Sequence, residues 1–284
     1  MSSGLAGRAA VVVGGTRGVG LEVARLLAAL GARIVVNGRD AEAVSQAAQG
    51  IPDAIGHPGS PADPSVADSL IGTCVHEFGR IDILVNCAGT AEPVGSSVLN
   101  VTSGQFRDLL DAHLLTTFET CRAAAPHMVA QRCGAIVNTS SFAFLGDYGG
   151  TGYPAGKGGV NSLTLAIAAE LKEHGVRANV VCPGAKTRLS TGSDYEAHIT
   201  ELNRRGLLDD VSFQGALDAA PPEYAAPTYA YLAGDLAKDI TGQIFIAAGG
   251  FVGRFDRQTP SLVAYRGHHD EPPWTVEEIA AQVG

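Results

Sequence analysis

Val11-Val12-Val13-Gly14-Gly15-Thr16-Arg17-Gly18-Val19-Gly20 is an apolar run that breaks into three spaced glycines. From Ala9 to Val13 no polar side chain interrupts the run, the pattern of a strand covered on both faces of a parallel sheet. Leu21 to Leu30 follows with apolar residues at helical spacing. A glycine-rich link between such a strand and such a helix has a physical purpose. Gly14 permits the tight turn, Gly18 lets the main chain approach a ligand, and Gly20 lets the helix lie close to the sheet. Unpaired N–H groups and the helix dipole then favour an anion at the helix start, here the pyrophosphate of a dinucleotide. Thr16, Arg17 and Val19 complete the expected contact set.

Working outward, strand-like and helix-like segments alternate. After the first unit come a strand at Arg33 to Asn37, a helix at Ala41 to Gln49, a weak strand at Ala54 to His57 and a helix at Pro64 to Phe78. Ile81 to Asn86 reads as a strong strand, Ser103 to Arg132 as one long helix and Ala135 to Thr139 as a strand. Lys157 to His174 reads as a helix, with strands at Arg177 to Cys182 and Ile244 to Ala247. Strict alternation implies right-handed crossovers and an α/β, Rossmann-type, doubly wound parallel sheet of about seven strands. The polar stretch 187–222 follows a strand's carboxyl end and is expected to cover the ligand crevice as a loop. We expect a catalytic domain over 1–253 and a C-terminal tail over 254–284, anchored by Trp274.

Composition narrows the function classes. The chain has 284 residues, 45% of them hydrophobic and 17% charged, which suits a large core and argues against disorder. A net charge of −9 with no Lys/Arg cluster disfavours nucleic acid as a partner. No stretch approaches the roughly 18 apolar residues of a membrane span, and the apolar start leads into a glycine turn and not a cleavage site, so a cytoplasmic protein is expected. Cys74, Cys87, Cys121, Cys133 and Cys182 show no metal-ligand spacing and read as small hydrophobes in a reducing compartment; no metal is expected.

Two further segments carry chemistry. The second strand ends Asn37-Gly38-Arg39-Asp40. An NAD enzyme usually holds an acid there for the ribose 2′-hydroxyl, but Gly38 occupies that place and Asp40 reads as a helix cap. Arg39, with Arg17 from the turn, suits a 2′-phosphate, so NADP(H) is favoured over NAD(H). Farther on, Tyr153 and Lys157 stand four apart at a helix start and so on one face. A phenol is a poor base near neutrality, and a neighbouring ammonium favours its ionised form. The serines of Thr139-Ser140-Ser141 are placed to hold a substrate oxygen.

Together these segments resemble the short-chain dehydrogenase/reductase family, essentially up to Gly250. The matching pieces are the glycine turn, Asn86-Cys87-Ala88-Gly89, Asn138-Thr139-Ser140-Ser141, Tyr153 to Lys157, Pro183-Gly184 and Ile240-Thr241-Gly242-Gln243. The resemblance implies an oxidoreductase interconverting a ketone and a secondary alcohol. It makes Tyr153 the general acid/base, Lys157 its pKa-lowering and ribose-holding partner, and Ser141 (or Ser140) the residue orienting the substrate oxygen. Asn86, Ala88, Gly89, Pro183, Gly184 and Thr187 would contact the cofactor, and the family's habit of forming dimers or tetramers implies a homo-oligomer.

His113 departs from the pattern, standing where many members use an Asn in a proton relay; it either holds the relay water or packs a helix kink. Ala112-His113-Leu114, Lys186-Thr187-Arg188-Leu189 and Pro222-Glu223-Tyr224-Ala225-Ala226-Pro227 also resemble, more patchily, the (3R)-hydroxyacyl-CoA dehydrogenase domain of peroxisomal multifunctional enzymes. The leading expectation is an NADP(H)-dependent ketoreductase on a fairly apolar polyketide, steroid or β-ketoacyl thioester. The alternatives are an NAD-dependent (3R)-hydroxyacyl-CoA dehydrogenase, a cofactor-binding scaffold or regulator without catalysis, and a dehydratase or epimerase on the same fold.

Overall fold

The computed structural model describes residues 4–93, 95–188 and 190–283. Its first half runs β1 (Ala9–Val13), α1 (Gly18–Ala29), β2 (Arg33–Gly38), α2 (Ala41–Gln49), β3 (Ile55–Pro58), α3 (Pro64–Phe78) and β4 (Ile83–Asn86). Next come α4 (Ser103–Leu110), a π-helical segment (Asp111–Leu115), α5 (Thr116–Gln131), β5 (Gly134–Thr139), α6 (Gly152–Leu171) and β6 (Val176–Gly184). The chain closes with α7 (Ser193–Arg204), α8 (Asp210–Leu217), α9 (Ala226–Ala233), β7 (Ile244–Ala248), β8 (Phe251–Phe255) and α10 (Val276–Val283).

All strands join one sheet in the order β3-β2-β1-β4-β5-β6-β7-β8. Every pairing is parallel except β7 with β8. Alternate residues of the central strands feed two cores. Ala10, Val12, Ile34, Val36, Val85 and Val137 pack with α1 and α9 on one face. Ala9, Val11, Val13, Leu84 and Ile136 pack with α3 and α5 on the other. Each fully buried Val contributes about 1.5–3 kcal/mol of transfer free energy, which is why these uninterrupted apolar runs become central strands. The chain reverses its direction of travel across the sheet between β1 and β4, and a doubly wound sheet opens its ligand crevice at such a point.

Four expectations are corrected in detail. An eighth strand, Phe251–Phe255, pairs antiparallel at the edge, within a region expected to begin the tail. The helix over 103–132 carries a π segment, where a local excess of one residue per turn replaces the α pattern. α6 begins at Gly152 and not at Lys157, so both Tyr153 and Lys157 lie inside it. The segment expected as a loop over 187–222 contains α7 and α8, whose Ile199 and Leu202 pack with Leu208, Tyr148, Tyr195 and Phe213 in a separate small core. Leu189 of the Lys186-to-Leu189 motif lies outside the described residues.

Trp274 is half-buried, and its ring contact lies within the tail: the Arg266 guanidinium stacks 3.9 Å from its ring centre, and Arg266 pairs with Glu278 at 2.8 Å. Among the described residues no helix is long and apolar enough to cross a membrane.

Candidate active site

The glycine turn has the shape its residues imply. Gly14 and Gly18 take φ of +72° and +53°, values a side chain disfavours. A Cβ on Gly14 would sit 2.6 Å from the Ala88 amide nitrogen, and one on Gly20 would collide with the Gly14 carbonyl. The tip of β4 is therefore pressed against the turn, bringing Ala88 and Gly89 beside it, with the Cys87 N–H bonded to Val13 O at 2.8 Å. Among the described residues nothing caps α1: Arg17 makes no side-chain bond to the helix, and the first turn holds no acid. Its first N–H groups, Val19 included, have no intrahelical acceptor, and they face the crevice that Thr187 borders, its methyl 3.5 Å from where a Gly18 Cβ would lie. An uncapped helix start behind bare glycine backbone fits a dinucleotide pyrophosphate.

The corner at the end of β2 is equally specific. A Cβ on Gly38 would fall 2.6 Å from the Thr16 methyl, so no acidic side chain fits there as the turn is folded. Asp40 is engaged elsewhere, its carboxylate accepting the Ala43 N–H at 2.8 Å as the cap of α2. Arg17 and Arg39 are exposed. Neither guanidinium has an ion-pair partner among the described residues.

The Asn86 side chain is engaged within the sheet: it donates to Asn138 at 2.9 Å and accepts from Thr120 at 2.8 Å. Fully buried there, it holds the ends of β4 and β5 in register beneath the site. Pro183 and Gly184 end β6, where a Gly184 Cβ would meet Ala248 at 2.7 Å.

Tyr153, Lys157, Ser141 and His113 do converge. Lys157 is 4% exposed; its ammonium donates to Thr139 O at 2.9 Å and stands 5.7 Å from the Tyr153 ring centre. Burial pushes its pKa down to about 8. In the chain alone the Tyr153 phenol is raised, not lowered: burial dominates, and a hydrogen bond with Ser141 opposes it. The expected lowering by the ammonium is not seen: the ammonium is bonded to Thr139 O, and the one group that lowers the phenol is Ser141. The two serines separate cleanly. Ser141 faces the phenol and caps the Ala143 N–H at 3.2 Å, whereas Ser140 is buried and donates to Lys157 O at 3.1 Å. Beneath them Tyr229, fully buried, shares a 2.9 Å hydrogen bond with the Thr139 hydroxyl.

His113 is 1% exposed and stands edge-on to Tyr153, ring centres 4.8 Å apart. The π segment turns it inward, and two hydroxyls take up carbonyls there: Thr116 donates to Asp111 O at 2.8 Å and Thr117 to His113 O at 2.7 Å. Its Nε2 lies 2.9 Å from Thr90 O and 3.4 Å from Thr90 N; the carbonyl is the nearer and can only accept, which favours the proton on Nε2. Nδ1 is then a bare acceptor, buried and without a partner among the described residues. A Cβ on Gly89 would lie 3.0 Å from that nitrogen and 3.8 Å from the Lys157 ammonium, so imidazole and ammonium border one small space. Burial, then Lys157, push the His113 pKa down to about 3.

That depression has a stability consequence. Between pH 6.5 and 3 the unfolded chain binds a proton that folded His113 refuses, so stability falls as pH drops through this window. At pH 5 the penalty is about 2 kcal/mol from this residue. His113→Asn is expected to remove it, so the melting temperature should fall less between pH 7.5 and 5 in the variant than in the parent. Equal falls would show that His113 titrates normally.

Sequence reasoning missed Thr90, Tyr229 and Glu92. Glu92 and Thr90 lie in the loop after β4, and no local pattern marks them; their partners are 61 and 23 residues away.

Comparison with known proteins agrees with this geometry. The short chain dehydrogenase family model matches residues 8–195. A 3α-hydroxysteroid dehydrogenase of Mediterraneibacter gnavus is 34% identical, covering 86% of this chain and 97% of that protein. A 3-oxoacyl-acyl-carrier-protein reductase of Chlamydia muridarum is 31% identical over 88% of this chain and 99% of its own. A crystal structure of a short chain dehydrogenase from Mycobacterium avium is similar at a TM-score of 0.78 and 27% identity, covering 99% of this chain and 94% of that one.

Proposed function

The chain belongs to the short-chain dehydrogenase family of oxidoreductases acting on CH–OH and C=O groups, and on that premise we propose that it is an NADP(H)-dependent ketoreductase. The observation that carries the reading is the convergence of Tyr153, Ser141 and Lys157 beside an uncapped, glycine-lined helix start. Preference for NADP(H) is supported by the corner that excludes a side chain at 38, commits Asp40 to a cap and leaves Arg17 and Arg39 free to bond a 2′-phosphate.

A nicotinamide bound in the crevice would supply the hydride. Each other part falls to the chain's own residues. Ser141 donates its hydroxyl hydrogen to the ketone oxygen and holds it against the phenol. Tyr153, neutral because burial raises its pKa, donates its proton as the oxygen gains charge, which is the role a general acid needs in reduction. Lys157 would hold the ribose of that cofactor, and its ammonium stabilises the phenolate left behind. His113 Nδ1, a fixed neutral acceptor, would hold a water beside that ammonium through which the proton is replaced.

Relatives named for a steroid and for an acyl-carrier thioester support a fairly apolar ketone. The test is a panel of steroid, polyketide and β-ketoacyl thioester ketones assayed with NADPH and NADH. Turnover of at least one with NADPH, and less with NADH, is expected. NADPH binding without turnover of any would favour the scaffold reading instead, and NADH-preferred oxidation of a hydroxyacyl-CoA the acyl-CoA dehydrogenase reading.

A further inference from the structure

α6, which carries Tyr153 and Lys157, begins without a cap of its own. Among the described residues Thr151 makes no side-chain bond to the helix, and the first turn contains no acid. The amides there have no intrahelical acceptor, as at any helix start. Yet three of them are bonded, all to one carboxylate from elsewhere in the chain. Glu92 Oε1 accepts from Thr151 N–H at 3.2 Å and Gly152 N–H at 3.3 Å, and Oε2 accepts from Tyr153 N–H at 2.6 Å. The carboxylate is itself held, since Ser96 Oγ donates to Oε1 at 2.8 Å. Gly150, at φ +78°, makes room for it: a Cβ there would press within 3.0 Å of the Glu92 side chain.

We propose that Glu92 is a positioning residue for Tyr153, a cap supplied to the catalytic helix by the loop that also borders the cofactor crevice. A carboxylate at a helix start neutralises the dipole there and fixes the direction of the first turn. In this chain the first turn holds the phenol, so fixing it sets where the phenolic oxygen points. The same loop reaches the other members of the site. Ala88 lies against the glycine turn, Thr90 bonds His113, and Glu92 bonds Tyr153 N–H. Residues 88–92 thus connect the cofactor turn, the imidazole and the helix turn that holds the phenol within five residues of one loop. A dinucleotide seated against Ala88 and Gly89 would steady the segment that steadies Tyr153. This assignment rests on Tyr153 being the proton donor.

Amide hydrogen exchange and steady-state kinetics test it together. In the unsubstituted protein the amides of Thr151, Gly152 and Tyr153 should exchange slowly despite their place in a first turn; fast exchange would overturn the assignment at once, with no variant needed. Glu92→Met keeps the side chain's length but offers no oxygen, and should speed exchange at those amides by about tenfold or more while leaving α1, α3 and α5 unchanged. With a ketone found active in the NADPH panel, Glu92→Met should lower kcat by about 10- to 100-fold, because small misplacements of a reacting group are that costly. KM and NADPH affinity should move by less than about threefold, as the interaction lost is one with the catalytic turn and not with the ligands. Glu92→Gln retains an acceptor for Tyr153 N–H and should recover most of the lost kcat. An equal loss in Gln and Met, a kcat within about twofold of the parent in Met, or faster exchange spread over all helices would overturn the proposal. Exchange needs no substrate, so a silent ketone panel, which speaks against the reductase reading, does not decide this one.

Discussion

Tyr153→Phe is expected to lower turnover by about 10³-fold or more while leaving NADPH affinity within about twofold of the parent. The phenolic oxygen is the only atom removed, and in the proposed reaction it delivers the proton. General acids contribute about 10²–10⁴-fold, and the ammonium that remains is held to Thr139 O beyond the ring. The substituted ring should keep its edge-on contact with His113, so folding should change by no more than about 1 kcal/mol, the net worth of one ordinary hydrogen bond. Steady-state rates in both directions, cofactor fluorescence titration and a melting curve check the three parts separately. Unchanged turnover would remove Tyr153 from the reaction and the reductase reading with it.

The second large effect is expected at the corner beside β2. Arg39→Asp should weaken NADPH binding by about 10- to 100-fold, the worth of one charge-assisted bond to phosphate plus the repulsion of the new acid. NADH binding should hold or improve, since a carboxylate at that corner can accept from a ribose hydroxyl. The substitution belongs at 39 and not at 38, where the Thr16 methyl would meet any added carbon. Both guanidiniums are exposed, so the preference should weaken with rising salt. An affinity ratio that does not move on Arg39→Asp would return the cofactor preference to an open choice between NAD and NADP.

The sheet was legible because its strands obey a local rule: Ala9–Val13 and Ile83–Asn86 are buried on both faces, and nothing polar interrupts their apolar core until the site begins. Helices with ordinary caps, such as α2 behind Asp40, were legible for the same reason. The start of α6 was not. Gly152-Tyr153-Pro154-Ala155-Gly156 contains two glycines and a proline, poor helix formers, and the group that stabilises this turn comes from Glu92 in another loop. α7 was missed because it is mostly polar and its apolar residues face a small satellite core instead of the sheet. The side chains that meet at the candidate site, Tyr153, Lys157, Ser141 and His113, were picked out by type and spacing; which of Ser140 and Ser141 faces the phenol was not legible, since it depends on how the chain leaves β5. The bonds of the Asn86 amide to Asn138 and Thr120 were not legible either, since a position at a strand tip says nothing about which way the amide points.

The π segment between α4 and α5 has a consequence for what the helix on each side can touch. An α-helix advances about 100° per residue, so one residue of excess turns everything after it by roughly that angle. The two halves are thus out of phase: α4 lies along α6 and lends Leu109 to it, while α5 packs on α3, β4 and β5. Straightening the bulge by deleting a residue would bring the two faces back into phase, and only one of them could then meet its partner. The insertion works as a phase shifter, letting one continuous rod serve the catalytic helix with one end and the sheet with the other. His113 sits at the step between the two, the place where a side chain can be aimed at the reacting groups without moving either half.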